Sequence, residues 1–364
     1  MRRITVIMGT RPEAIKLCPV VLELQRRANI KPFVVSSGQH RELLEAVLKD
    51  FSVLPDRRLD CMRAGQNPAV LLSRLMSEID ATLEELAPDT VIVQGDTSTA
   101  FAGALAAFYR GIRVAHVEAG LRTYRMRDPF PEELHRRAIS LLSDFHFAPT
   151  ETSKANLLRE GIDPKSILVT GNTVVDALRI TLKTQARMDD LKIHTGQRLL
   201  IFTAHRREHL EGAIFGMARA LRRLVDAIPD AVAICPLHPN PAVRRAVGGV
   251  LAGHARIHCI EPPSVVRFHH LLARASLILT DSGGIQEEAT ALGIPTIVMR
   301  DFTEREEGVE AGNLILAGSG EEAILETAFR LLSDPNSLES MKIPSEAFGR
   351  GDASVKIVDF LQKN

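Results

Sequence analysis

Three acidic side chains are placed to exchange protons with a bound substrate. Asp96 stands in Gln94-Gly95-Asp96-Thr97-Ser98-Thr99. Glu118 stands in His116-Val117-Glu118-Ala119-Gly120-Leu121-Arg122-Thr123, and Glu132 in Pro129-Phe130-Pro131-Glu132-Glu133. Carboxylates gathered at one rim repel one another. One of such a set then holds its proton more tightly, as general acid–base work near neutral pH requires. Plainer roles are open to two of the three. Asp96 could cap the helix that follows it, and Glu132 with Glu133 could answer the dipole of the helix they open. Neither account covers Glu118, which ends a strand.

The remaining chemistry is directed at anions. Gly9-Thr10-Arg11-Pro12-Glu13-Ala14-Ile15-Lys16 offers a tight turn at Gly9, a proline suited to a first helical turn, and two cations, Arg11 and Lys16, beside that helix start. It is neither GxGxxG nor a P-loop, and two solvated cations on an ordinary helix are the alternative. Thr203-Ala204-His205-Arg206-Arg207-Glu208 joins His205 and Arg206 to a second arginine, a set that suits a pyrophosphate or a surface ion-pair cluster. His238, in Pro236-Leu237-His238-Pro239-Asn240-Pro241, reads equally as a ligand contact or a packed loop histidine. The most specific motif is Thr280-Asp281-Ser282-Gly283-Gly284-Ile285-Gln286-Glu287-Glu288. Ser282, Gly283 and Gly284 let backbone N–H groups approach an anion at a helix start. Glu288, in the second turn, can accept hydrogen bonds from ribose hydroxyls. The run Met299-Arg300-Asp301-Phe302-Thr303-Glu304-Arg305 adds further cations, Arg305 among them. A tight turn explains the glycines but not the flanking Ser and Glu, so nucleotide-diphosphate binding is the preferred reading.

Short apolar runs alternating with amphipathic segments must position these loops, the pattern of βαβ units and a parallel sheet. Strands are expected at Ile4–Met8, Pro32–Ser36, Thr90–Val93, Val114–Val117 and Phe145–Ala148, with helices near 13–28, 40–50, 68–86, 98–109 and 132–142. The pattern restarts with strands at Leu199–Thr203, Val232–Pro236, Ile257–Ile260, Leu277–Thr280 and Thr296–Val298, and helices near 210–228, 240–251, 264–273, 284–292 and 321–333. The expected fold is α/β: two Rossmann-like, doubly wound domains facing a central cleft, residues 1–182 with the carboxylates and 183–364 with the nucleotide loops. In such sheets ligands bind beyond the carboxyl ends of the strands, which is where every motif above falls. The polar stretch 183–197 reads as a linker, and the helical tail from about 352 either closes the second domain or crosses back to the first.

Composition removes several classes. With 364 residues the chain exceeds what one core usually serves. Lys+Arg and Asp+Glu are equal at 45 each, which gives no nucleic-acid footprint. There is no Trp and only two Tyr, so a stacked-aromatic sugar platform is excluded and polar groups must hold any sugar. Cys18, Cys61, Cys235 and Cys259 form no CxxC pair and read as reduced thiols of a cytoplasmic protein. His146, His194, His254, His258, His269 and His270 lack metal-ligand spacing, so a metal is not implied. The apolar run after Met1 is too short for a signal peptide, and no stretch is long enough to span a membrane.

Taken in order, GTRPEAIK, GDT, HVEAGLRT, PFPEE, THRRE, DSGGIQEE and RDFTER resemble the non-hydrolysing UDP-N-acetylglucosamine 2-epimerases, from Ile4 to about Asp352. The resemblance implies two Rossmann-like domains of the glycosyltransferase-B type, a homodimer, and no metal or nicotinamide. It implies interconversion of UDP-GlcNAc and UDP-ManNAc by anti elimination of UDP to 2-acetamidoglucal and syn re-addition. Asp96, Glu118 and Glu132 match the family's acid–base groups, and His205 matches an active-site histidine near the diphosphate. Arg11, Lys16, Arg136, Ser282, Gly283, Gly284, Glu288 and Arg305 match substrate- or UDP-binding positions, and Phe268 a uracil contact. The sequence departs from the family pattern at Gln94, Tyr124, His135, His209 and Glu306. Three rivals share much of this pattern: a 2-epimerase of a modified UDP-amino sugar, a hydrolysing epimerase, and a glycosyltransferase of the same fold. A UDP-sugar sensor without activity would have lost an acid–base residue, and none is lost.

Overall fold

Runs of Val, Ile and Leu that are buried on both faces of a sheet form parallel strands, and here they do so twice. β4 (Thr90–Gln94) is buried at all of its positions, as a strand covered by helices on both sides should be. The structure, a computed structural model, describes every residue except Gln39, His40, Ala64, Asp189, Asp190, Lys192, Arg207, Glu208 and Glu211, and of Arg41 only the backbone.

The first sheet holds β1 (Arg2–Met8), β2 (Ile30–Ser36), β3 (Arg57–Arg58), β4, β5 (Arg113–Val117), β6 (Phe145–Ala148) and β7 (Ile167–Val169). Their order is β3-β2-β1-β4-β5-β6-β7, and every pairing is parallel. The second sheet holds β8 (Arg198–Thr203), β9 (Ala231–Pro236), β10 (Ile257–Ile260), β11 (Leu277–Thr280), β12 (Thr296–Val298) and β13 (Leu314–Leu316), in the order β10-β9-β8-β11-β12-β13. Each sheet winds outward in both directions from its first strand. The topological switch points therefore lie between β1 and β4 and between β8 and β11, where such sheets open a crevice for ligands.

The two compact units are Met1–Ile180 with Gly349–Asn364, and Thr181–Phe348. The tail helix Ala353–Lys363 thus belongs to the first unit. Phe360 sets its ring edge-on to Phe145 and Phe147, with centroids 5.5 and 5.7 Å apart. Asp176 receives the start of that helix, accepting the N–H of Ala353 (3.2 Å) and of Ser354 (2.8 Å) and the Ser354 hydroxyl (2.6 Å).

Several elements escape a hydrophobic-pattern reading. β3 is two exposed arginines, held by register to Val35 and Ser36. β13 and the helices Glu151–Arg159, Thr173–Thr181 and Glu306–Glu310 are short, and their apolar faces span too few residues to show a period. The helix expected at 240–251 is broken into Pro241–Val243, a π-turn at Arg244–Gly248, and Gly249–Leu251. The four thiols are free; Cys18, Cys61 and Cys235 are buried, and Cys259 is half-buried opposite Cys235 in the β9–β10 register. Among the described residues no helix is long and apolar enough to cross a membrane.

Candidate functional site

In the first unit the loops that leave β1, β4 and β5 supply the chemistry. Gly9 must lack a side chain, because a Cβ there would stand 2.2 Å from Thr99 Oγ1 and 2.3 Å from Ser37 Oγ. Thr10 caps the helix Arg11–Gln25, and Glu13 returns a carboxylate to the Thr10 N–H (2.7 Å) and the Gly9 N–H (3.1 Å), a capping box. The other Glu13 oxygen accepts the Thr97 hydroxyl (2.8 Å) and so ties the β1 loop to the β4 loop. Thr97 itself caps the helix Ser98–Tyr109, accepting the Ala100 N–H at 3.0 Å. The cap is therefore Thr97, and Asp96 is left for other work.

Glu118 follows β5 with φ +65°, a left-handed backbone that costs a residue with a Cβ about 1–2 kcal/mol. Its Oε2 is bound by the Lys16 ammonium and accepts the Asn172 amide N–H at 2.7 Å. Its Oε1 lies 3.9 Å from where a Gly95 Cβ would stand, next to the Asp96 loop. Asp96 pairs with the Arg136 guanidinium, which lies 3.6 Å from the buried Glu133 carboxylate. Glu133 in turn accepts the N–H groups of Thr123 (3.0 Å) and Tyr124 (3.1 Å), fixing the loop after β5. Glu132 opens the helix Glu132–Leu142 beside them, half-buried. The His135 Nδ1 lies 2.9 Å from the Asp96 carbonyl, and the ring stacks on Phe101 at 5.0 Å. Burial pushes that imidazole below its ordinary range, against the Asp96 carbonyl and the nearby carboxylates of Asp96 and Glu132. Arg11 sits half-buried at the first residue of its helix. The expected crowding of like charges is thus relieved: Asp96 and Glu118 each face a cation.

In the second unit the loops leaving β8 and β11 meet at the switch point. Asp281 accepts the N–H groups of His205 (2.9 Å) and Arg206 (3.0 Å), and His209 Nδ1 lies 3.1 Å from the same oxygen. Burial raises the Asp281 carboxyl, but His205, His209 and these amides pull it down to about 2. The rings of His205 and His238 stack, 5.3 Å apart and 8° from parallel. Ser282 opens the helix Gly283–Leu292 without spending its hydroxyl on a cap.

Arg305 lies over that helix start. A Cβ on Gly283 would stand 2.7–3.0 Å from its guanidinium, so glycine is what lets the cation in. Glu287 (3.0 Å) and Glu304 (3.3 Å) hold Arg305 there, and Arg300 also pairs with Glu304 at 2.9 Å. Burial would raise Glu304, yet Arg305, Arg300 and Arg206 hold it well below the usual carboxylate range. A guanidinium beside the positive end of a helix makes a local field suited to an anion. Glu288 is buried, with Oε1 3.3 Å from His269 Nε2, while His269 Nδ1 lies 2.5 Å from the Thr181 hydroxyl. Gly284 takes the second position of the helix, and Phe268 is half-buried against the apolar core on that side of the sheet.

The expected residues thus fall into a carboxylate–cation group in the first unit and an anion-directed group in the second. Arg207 and Glu208 of the THRRE motif lie outside the described residues. Sequence reasoning did not single out Glu13, Asn172, Asp281 or Glu287, and it gave Glu133 only a helix-dipole role. Glu13 carried a signal, the Thr-x-x-Glu spacing of a capping box, and Asp281 stood inside a motif already singled out. Asn172 carried none, since its partner Glu118 lies 54 residues away. Among the described residues no cluster of three or more His, Cys, Asp or Glu could hold a metal ion.

Two parallel sheets with interleaved helices, each with its polar loops at the switch point, define a glycosyltransferase-B-like α/β enzyme. A glycotransferase of kitacinnamycin shares this fold at 13% identity with a TM-score of 0.62 over 99% of this chain and 98% of that one, a likeness of fold alone. A model of the UDP-N-acetylglucosamine 2-epimerase family matches residues 22–362. The UDP-N-acetylglucosamine 2-epimerase of Bacillus subtilis is 45% identical over 359 residues, covering 99% of this chain and 94% of its own. The crystal structure of UDP-GlcNAc 2-epimerase from Neisseria meningitidis bound to UDP-GlcNAc is similar with a TM-score of 0.96, at 43% identity over 100% of both chains. The chain belongs to the UDP-N-acetylglucosamine 2-epimerase family, a family of isomerases.

Proposed function

We propose that this chain interconverts UDP-N-acetylglucosamine and UDP-N-acetylmannosamine by anti elimination of UDP to 2-acetamidoglucal and syn re-addition to the other face. The observation that carries the reading is the carboxyl end of the first sheet. There Glu118, in a left-handed backbone and bound by Lys16 and Asn172, stands beside the loop of the Asp96–Arg136 pair. A sugar C2–H is too weak an acid for a carboxylate to take its proton first. Cleavage of the C1–O bond leads, and carboxylates stabilise the positive ring that results. Asp96, Glu118 and Glu132 are the acid–base groups, and Arg11, Lys16 and Arg136 contact substrate. In the second unit His205 is the catalytic histidine beside the diphosphate, Arg206, His238, Ser282, Gly283, Gly284 and Arg305 hold that diphosphate, Glu288 the ribose and Phe268 the uracil. In this reading the charge work falls to side chains and to the N–H groups of a helix start, so turnover should persist in EDTA.

The test is proton NMR of UDP-GlcNAc incubated with the protein in D2O without added metal or nicotinamide. UDP-ManNAc should appear, and deuterium should enter C2 of both epimers. Free ManNAc with UDP would instead mean a hydrolysing enzyme, and unchanged UDP-GlcNAc would refute the reading. The same proposal includes a homodimer. Its support is the exposed apolar surface of two helices packed on each other, Phe108 and Tyr109 on Ser98–Tyr109 and Leu134 and Leu141 on Glu132–Leu142.

A further inference from the structure

Asp281 stands just after β11 and reaches across the switch point to the loop after β8. Its Oδ2 takes the two backbone N–H groups of His205 and Arg206, and its Oδ1 lies 3.4 Å from His205 Nδ1. The carboxylate is fully buried, and the Arg206 Nε–H closes the loop on the Asp281 carbonyl at 2.9 Å. Oδ2, which His209 Nδ1 also approaches at 3.1 Å, carries the donors to the carboxylate and keeps it ionised. Oδ1 is buried without a hydrogen bond among the described residues, and an Nδ1–H rather than a bare ring nitrogen is the form of His205 that suits it. His205 therefore carries its proton on Nδ1, which leaves Nε2 as the atom that gains or gives one.

His238 is set the opposite way. Its Nδ1 accepts the Asn240 N–H at 3.2 Å, so its own proton sits on Nε2. The near-parallel stack of the two rings fixes the plane of His205, while Asp281 fixes its edge. We propose that Asp281 is a positioning residue that holds His205 in the Nδ1–H form, so that Nε2 faces the departing diphosphate as the site's proton-carrying atom. This rests on the reading of the chain as a nucleotide-sugar epimerase. When the C1–O bond breaks, its electron pair goes to the β-phosphate oxygen. A proton on His205 Nε2 meets that charge, and Asp281 balances the imidazolium; re-addition reverses both.

Two measurements test the assignment. Imidazole nitrogen-15 spectra of the wild-type protein, taken where the rings are neutral, should show His205 with the proton on Nδ1 and His238 with it on Nε2. A His205 ring protonated on Nε2, or one that averages both forms, would overturn the proposal whatever the enzyme turns over. In kinetics, Asp281→Asn should lower kcat by about 10–100-fold, as losing the group that orients a reactive histidine does, with KM little changed. On a His205→Asn background the same change should cost nothing more. Full additivity of the two losses, or an undiminished kcat in Asp281→Asn, would show that Asp281 does not act through His205. The expected tautomers without any turnover would refute only the epimerase reading.

Discussion

Glu13 is a buried carboxylate whose surroundings dictate a pH dependence. Burial pushes it from 4.5 up to about 7, against the donors Thr10, Thr97 and Gly9. Between those two values the folded chain keeps a proton that the unfolded chain has lost. Stability therefore falls as pH rises; the contribution is complete below about pH 4.5 and gone once pH passes about 7. The shift sets an upper limit of about 3 kcal/mol. Glu13→Gln keeps the capping geometry and removes the titration. Unfolding measured from pH 4.5 to 8 should show wild type losing stability relative to this variant, and parallel curves would contradict the assignment. At the same scale, Asp96→Asn, Glu118→Gln and Glu132→Gln should each lower turnover by about 10²–10⁴-fold with UDP binding largely kept. Near wild-type rates in all three would remove the carboxylates from the mechanism.

Helices and strands were legible where their apolar period ran long enough to count. Ala213–Ala227 and Glu132–Leu142 carry that signal in their own residues. β3 and β13 do not, because they exist through pairing with a neighbour strand rather than through any period of their own. The tail helix was legible as a helix but not in its docking. Its place depends on Asp176, which serves as its N-terminal acceptor from 177 or 178 residues away. Asp176→Ala strands two N–H groups and a hydroxyl, at a cost of about 1–3 kcal/mol. Hydrogen exchange should then rise through Ala353–Lys363. Unchanged protection would mean that the Phe360 contacts alone hold the helix.

Both units repeat one device at the scale of the molecule. At each switch point a buried carboxylate spans the crevice: Glu13 from the β1 side, with the Thr97 hydroxyl opposite, and Asp281 from the β11 side, with the amides of His205 and Arg206 opposite. Each satisfies strand-end amides that the sheet itself cannot pair. The proposed dimer is also a property at this scale. Leu141→Asp with Tyr109→Ser places polar groups on the exposed apolar surface. Sedimentation should move from twice the 40.0 kDa chain mass toward the single chain. A wild-type protein that sediments as one chain would refute the dimer.

The family, the α/β class and the strand-end location of the chemistry were written in local residue order, because a turn, a cap or a buried strand is set by neighbours a few positions apart. The pairing of Glu118 with Lys16 and Asn172, of Asp96 with Arg136, and of Asp281 with His205 was not. Those partners are 40 to 102 residues apart in the chain. Only the winding of each sheet brings them within a hydrogen bond. The left-handed backbone of Glu118 belongs with them, since β-strand pairing and its two partners hold a conformation that its own side chain disfavours.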